Sequence, residues 1–205
     1  MSMPIVTNMP ANKLPKPMNT DLNMPLFYHA TMHTMMNKLI VVFGLPGAGK
    51  SYVATIIEKS FGYVPYNGDD DLPKLMKQAL YEKKIITDDM RREFITNMVA
   101  SVKNLMQKKK DVVVHQAFIK EFMRKQLLDA IPTTTFILVQ TDDAIREKRY
   151  MKRTYFNLGL PYLRHMSALF EQVSIPYVTI YNNKEGNSEI VHQLEHILSS
   201  LGYSK

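Results

Sequence analysis

The sequence contains no cysteine. A disulfide framework, a thiolate metal site and a cysteine nucleophile are therefore excluded, and any chemistry must use other groups. Long hydrophobic runs are missing too. The longest apolar stretches, near 38–43 and 135–139, fall far short of the roughly 20 residues that a membrane-spanning helix needs. The first residues lack the basic-then-apolar layout of a secretory signal. Together these absences predict a soluble, cytoplasmic protein with no membrane partner; its oligomeric state is left open. No internal repeat is visible, and the positive excess is not concentrated in one block. The excess of 26 Lys and Arg over 19 Asp and Glu, a net +7, is spread along many helical positions. Such a balance favours nucleotides, phosphorylated metabolites or nucleic acid as partners, although a solvated basic surface is the plainer reading of the same charge.

What is present suits one α/β domain. A chain of 205 residues with 45% hydrophobic content can cover both faces of one sheet and little more. Residues 1–36 are rich in Met, Pro, Asn and Thr, with Pro4, Pro10, Pro15, Pro17 and Pro25 and no sustained period, and are read as a flexible extension. The domain itself is assigned to 37–205. There, short apolar or β-branched runs at 39–43, 63–66, 111–115, 135–140 and 176–181 alternate with amphipathic segments at 49–60, 73–81, 88–108, 120–130, 142–153, 160–173 and 188–201. Alternation of this kind builds βαβ units and a parallel sheet. Thr87, followed by Asp88 and Asp89, is a suitable helix cap with acidic groups at the positive helix start.

Residues 44–51, GLPGAGKS, fit the pattern G-x-x-x-x-G-K-[ST] between a predicted strand and a predicted helix. Gly44, Gly47 and Gly49 let the backbone curl so that successive N–H groups, those of Ala48 and Lys50 included, face phosphate oxygens at a positive helix start. Lys50 is placed to reach the β- and γ-phosphates of ATP, the Ser51 hydroxyl to ligate Mg²⁺, and Tyr52 to extend the nucleotide-binding turn. Guanine readers use an Asn-Lys-x-Asp segment, of which Asn182-Asn183-Lys184-Glu185 is a loose echo, so ATP is the expected nucleotide. The third strand ends in His115, where many P-loop ATPases place a Mg²⁺-associated Asp, which argues against a motor ATPase.

The second strand runs into Asn67-Gly68-Asp69-Asp70-Asp71. A carboxylate at the carboxyl edge of a parallel sheet lies beside the phosphates, where it can accept a proton from an attacking hydroxyl or hold Mg²⁺. Asp69, nearest the strand, is the candidate base and metal ligand; Asp70 and Asp71 could instead cap the helix that follows. Arg146, Lys148, Arg149, Lys152 and Arg153 crowd the helix after strand four. Arg149 and Arg153, four apart and so expected on one face, are the candidates for stabilising the transferring phosphoryl, and 155–159 looks like a short lid. Arg91, with Arg92 beside it, and His115 and Gln116 at the sheet edge are candidate acceptor-binding residues.

These residues resemble the small-metabolite kinases of the nucleoside-monophosphate-kinase superfamily, and among them the gluconate kinases and shikimate kinase-type proteins. The likeness covers nearly all of 37–185 and is carried by GLPGAGKS at 44–51, YNGDDDLP at 66–73, ITDDMRREF at 86–94, VVVHQAFIKEFMR at 112–124, REKRYMKR at 146–153 and SALFE at 167–171. It implies a three-layer α/β/α P-loop NTPase fold, a five-stranded parallel sheet in order 2-3-1-4-5, a mobile lid, and ATP–Mg²⁺ as donor. It also implies Asp69 near the acceptor hydroxyl, Arg91 on the acceptor, and Arg149 and Arg153 as lid arginines. The chain departs from the gluconate-kinase pattern on the acceptor side: Leu72-Pro73 stands for His-Pro, Arg153-Thr154-Tyr155-Phe156 for Arg-x-x-His-Phe, and His115-Gln116-Ala117 for Cys-Ser-Ala. The expected function is phosphotransfer from ATP to a hydroxyl of a small metabolite, a sugar acid or polyol preferred. A polynucleotide 5′-hydroxyl kinase and a non-catalytic ATP-binding module are the alternatives.

Overall fold

An unbroken apolar strand needs cover on both faces, and the run Leu39–Phe43 has it. In the computed structural model, which describes residues 37–108, 110–154 and 157–201, this run is β1, the middle of the sheet, with all five residues 0% exposed. The other strands are β2 (Val64–Asn67), β3 (Val112–His115), β4 (Thr134–Gln140) and β5 (Val178–Tyr181). All pair in parallel, in the order β2-β3-β1-β4-β5. The helices are α1 (Lys50–Phe61), α2 (Lys74–Tyr81), α3 (Asp88–Gln107), α4 (Glu121–Ala130), α5 (Asp143–Met151), α6 (Gly159–Ala168) and α7 (Ser188–Ser200). Residues 1–36, read as an extension, and Tyr155 and Phe156 of the predicted lid lie outside the described residues.

The period of two along each strand sends alternate side chains into two cores. Leu39, Val41 and Phe43 meet Phe94, Ile95, Met98 and Val102 of α3 and Met123 and Leu127 of α4. Ile40 and Val42 meet Val53 and Ile57 of α1 and Ile190 and Leu194 of α7. Each fully buried aliphatic or aromatic chain contributes roughly 1.5–3 kcal/mol, so the two cores hold the three layers together and the polar edges are free to serve a site. Among the described residues, no helix is long and apolar enough to cross a membrane.

Two helix ends differ from expectation. The stretch predicted at 160–173 stops at Ala168. The Glu171 N–H donates to the Ile119 carbonyl at 2.9 Å instead of continuing the helix, and buried Arg124 takes the carbonyls of Glu171 at 2.9 Å and Gln172 at 3.1 Å. The Glu171 carboxylate meanwhile accepts from the Glu121 N–H at 2.7 Å and from Lys120 at 2.8 Å, capping α4 from a distance. The stretch predicted at 142–153 ends at Met151, so Arg153 stands two residues beyond the helix. That removes the single-face geometry expected of Arg149 and Arg153.

Candidate active site

Register assembles the site. Asn67 of β2 pairs with His115 of β3, and His115 with Val42 of β1, so three strands end abreast. Their exits are therefore neighbours: the turn that opens at Gly44, the one-turn 3-10 helix Gly68–Asp71, and Gln116.

The phosphate turn is built as its sequence requires. Gly47 and Gly49 have φ of 87° and 94°, in the left-handed region that glycine adopts without strain. Both are also packed closely. A Cβ on Gly47 would lie 2.6 Å from the Arg146 carbonyl oxygen, and one on Gly49 would lie 2.2 Å from Asn182 Nδ2. The turn is thus braced by α5 and by the residues that follow β4 and β5. Asn182, 3% exposed, donates from Nδ2 to the Ala48 carbonyl at 2.8 Å, and the Thr141 hydroxyl lies 3.0 Å from that same oxygen.

Lys50 opens α1 with its ammonium 3.1 Å from the Leu45 carbonyl. Burial, helped by Arg153 and Arg146 and opposed by Asp69, lowers its pKa to about 7. A lysine so poised lacks an anion large enough to hold its proton, and a polyphosphate at this turn supplies one. His115 titrates below its ordinary value because burial and then Lys50 disfavour its charge, with Asp69 and Asp70 opposing, so it is neutral at pH 7.

The three carboxylates after β2 have separate surroundings. Asp71 accepts from the Tyr66 hydroxyl at 2.7 Å and the Ser101 hydroxyl at 2.8 Å, which fixes it to β2 and α3. Asp70 receives a long 3.5 Å contact from the Asn67 amide. Neither caps α2, whose N-cap is Pro73. Asp69 accepts from Gln116 Nε2 at 2.6 Å, and the Gln116 oxygen in turn accepts from the Ala117 N–H at 2.5 Å. The backbone thereby sets which end of the Gln116 amide faces Asp69.

A cavity of about 650 Å³ joins these parts, lined by Lys50, Ser51, Asp69, His115, Gln116 and Arg153. Ser51 and Asp69, both oxygen-bearing, line it, a pair that suits Mg²⁺, which keeps most of its coordination as water and phosphate oxygens. Arg91, 6% exposed, sits in the adjoining cavity that Asp69 and Gln116 also line. The two lid-side arginines part company. Arg153 stays with the cavity, its guanidinium 5.5 Å from the Tyr150 ring centre, while Arg149 donates to the carbonyls of Asn182 at 2.7 Å and Lys184 at 3.3 Å. Tyr52 is 42% exposed and lines none of the cavities described here.

Two residues went unassigned in the sequence. Arg146 had appeared only as one cation among five. It is 4% exposed, packs against Gly47, binds Asp143 at 2.7 Å and has Nη1 buried without a partner. Asn182 was read only as part of an imperfect guanine motif, yet it ties β5 to the phosphate turn. Neither has a local sequence signal, because each acts on a segment reached only through the sheet order.

The AAA domain family model matches residues 39–172. The chain belongs to the AAA domain family. Solved structures similar to this AAA domain include a sugar kinase from Janibacter sp. HTCC2649, with a TM-score of 0.69 and 16% identity over 82% of this chain and 96% of that one. A gluconokinase from Sinorhizobium meliloti 1021 gives 0.66 and 23% identity over 82% and 97%. The Mycobacterium tuberculosis APS kinase CysC, solved with AMPPNP and APS, gives 0.57 and 18% over 82% and 98%. At these identities the likeness establishes a shared three-layer fold. No curated protein matches the sequence.

Proposed function

We propose that this AAA domain is an ATP-dependent phosphotransferase that moves the γ-phosphate to a hydroxyl of a small metabolite. The observation that carries the reading is one cavity holding both Lys50, on the phosphate turn, and Asp69, on the neighbouring strand exit. In this reading the acceptor oxygen attacks the γ-phosphorus, its proton passes to the Asp69 carboxylate, and the bond from phosphorus to the ADP oxygen breaks. ADP, a phosphomonoester and a proton are released. Lys50 and Arg153 stabilise the charge on the transferring group, and Gln116 holds Asp69 toward the acceptor. Bound Mg²⁺, held by Ser51 and the side of Asp69, would neutralise phosphate charge. Arg149 serves the nucleotide end by fixing the exit of β5, and Tyr52 flanks that end. His115, neutral, is available as a hydrogen-bond partner for the acceptor, and Arg91 as its anion fork.

The gluconokinase and sugar kinase likenesses make a sugar acid or polyol the first acceptor class to assay. The decisive experiment is ADP formation by the full chain with ATP and Mg²⁺ against small hydroxy compounds, nucleosides and 5′-hydroxyl oligonucleotides. Acceptor-dependent ADP release with a small molecule, lost in Lys50→Ala, is the expected result. Stimulation by oligonucleotides alone, or ATP binding without turnover for any acceptor, would overturn it.

A further inference from the structure

The wall of the site changes character beyond Asp69. Three adjoining cavities, of about 650, 90 and 290 Å³, share Leu80, Tyr162 and Met166, so one trough leads from the phosphate turn past Asp69 to the outer surface of α2 and α6. The middle section is almost wholly apolar. Leu72, Met76, Phe94, Phe118 and Met123 are among its walls, and its charged or amide side chains are Asp69, Gln116 and Arg91 alone. Two of those three are already engaged, since Gln116 spans from Asp69 to the Ala117 N–H. The Tyr162 hydroxyl, whose pKa burial pushes up to about 12 with Tyr150 and Asp69 adding to the rise, carries no charge and offers a single hydroxyl to a ligand.

Arg91 is the third. Its side chain is 7% exposed, and its bonds to Asp88 at 2.9 Å and to the Ile86 carbonyl at 2.7 Å both use Nη1. The Nε and Nη2 edge, the flat fork that matches a carboxylate, has no hydrogen-bond partner among the described residues. Arg91 lines the middle and the outer section alike, and apart from Tyr162 the ionisable groups of the outer section are Lys83, Lys84, Arg91 and His165, with no acidic residue among them.

In the middle section a body hydroxylated at every carbon would lose water and, beyond Asp69 and Arg91 at its ends, meet only the Gln116 amide and the Tyr162 hydroxyl as polar side chains. An alkyl or aryl body would fit the same wall without that loss. We propose that the acceptor is a monohydroxy acid with an apolar body: its hydroxyl at Asp69, its alkyl or aryl part between Leu72, Leu80, Tyr162 and Met166, and its carboxylate on the free edge of Arg91. This rests on the phosphotransfer reading above and narrows it, moving the acceptor away from polyols.

The test compares matched acids on the full chain with ATP and Mg²⁺. Hydroxypivalate and para-hydroxymethylbenzoate represent the apolar class, gluconate and glycerate the polyhydroxy class, and para-methylbenzyl alcohol lacks the carboxylate. Both kcat/KM and calorimetric binding in the presence of AMPPNP are read. An apolar acid should exceed gluconate and glycerate by about 100-fold or more, since an apolar pocket discriminates against an added hydroxyl by that order. The uncharged alcohol should lose at least about 100-fold against its acid, as a site built for a polar group rejects analogues that lack it. Met166→Gln, which keeps the shape of the wall but makes it polar, should shrink the preference for the apolar acids at unchanged ATP affinity. Preference for gluconate or glycerate would overturn the inference while leaving phosphotransfer intact. Binding of an apolar acid without ADP release would sink phosphotransfer while upholding the cavity's specificity. Binding of none of the acids would overturn the inference directly.

Discussion

Lys50→Met should stabilise the empty protein while abolishing its response to ATP. Lys50 is held at a pKa of about 7 against an ordinary 10.5. The shift is about 3.5 units, and at 1.36 kcal/mol per unit, with the group half-titrated at neutral pH, it costs the folded state about 4 kcal/mol there. The sign follows from proton counts. Between pH 7 and 10.5 the unfolded chain keeps the lysine proton while the native site sheds it, so wild-type stability should climb by up to about 1.4 kcal/mol per pH unit above pH 7. Methionine fills similar space without charge, so the variant should start higher and lack that climb. Urea unfolding from pH 6 to 9, with and without ATP–Mg²⁺, reads both effects. ATP at 100 times its Kd should add about 2.7 kcal/mol to the wild type and nothing to the variant. Proton uptake on ATP binding near pH 7.5, measured calorimetrically in buffers of different ionisation heat, should accompany it. If Lys50→Met destabilised the empty protein at pH 7, or if ATP bound without proton uptake, the burial argument would be refuted.

Asp69→Asn should lower kcat by about 10²–10⁴ with ATP affinity nearly unchanged, in steady-state kinetics paired with nucleotide titration; full activity would remove Asp69 as the base. Asn182→Ala should cost about 1 kcal/mol in urea unfolding and weaken ATP binding, because the Ala48 carbonyl loses its buried amide donor and is left with the Thr141 hydroxyl. Gly47→Ala should be far worse than Gly62→Ala. Both have positive φ, but a Cβ on Gly62 meets nothing within 4 Å whereas one on Gly47 runs into the Arg146 backbone, so only the former should stay near the ~1 kcal/mol expected of strain alone. Arg124→Met should lose about 3 kcal/mol in the same assay, since it takes the buried cation from Glu121 Oε2 and a donor from the carbonyls of Phe118, Glu171 and Gln172, while Ser174 still holds Glu121 Oε1.

Much of this protein was legible along the chain because it is written in local signals. The all-apolar 39–43 run, the glycine-spaced turn after it and the Thr87 cap each depend on neighbours within a few residues. The five strands and seven α-helices among the described residues follow from the periods of two and 3.6, and Thr87 Oγ accepts from the Met90 N–H at 3.3 Å as its position predicts. The carboxylates after β2 stand at the sheet edge for the same reason: a parallel strand delivers its exit there whatever surrounds it.

What tertiary structure decided are the choices between equivalent residues. Three adjacent aspartates look alike in sequence, yet Tyr66 and Ser101 claim Asp71 and Gln116 claims Asp69. Arg149 and Arg153 share a helical spacing on paper, but the helix ends between them and they face different partners. Asn182 reaches Ala48 across 134 residues, and Arg91 of α3 meets Tyr162 and Met166 of α6 at one trough. Such encounters depend on strand order and on where each helix stops, and those are settled by competition for buried carbonyls and shared core volume that no short window of sequence contains.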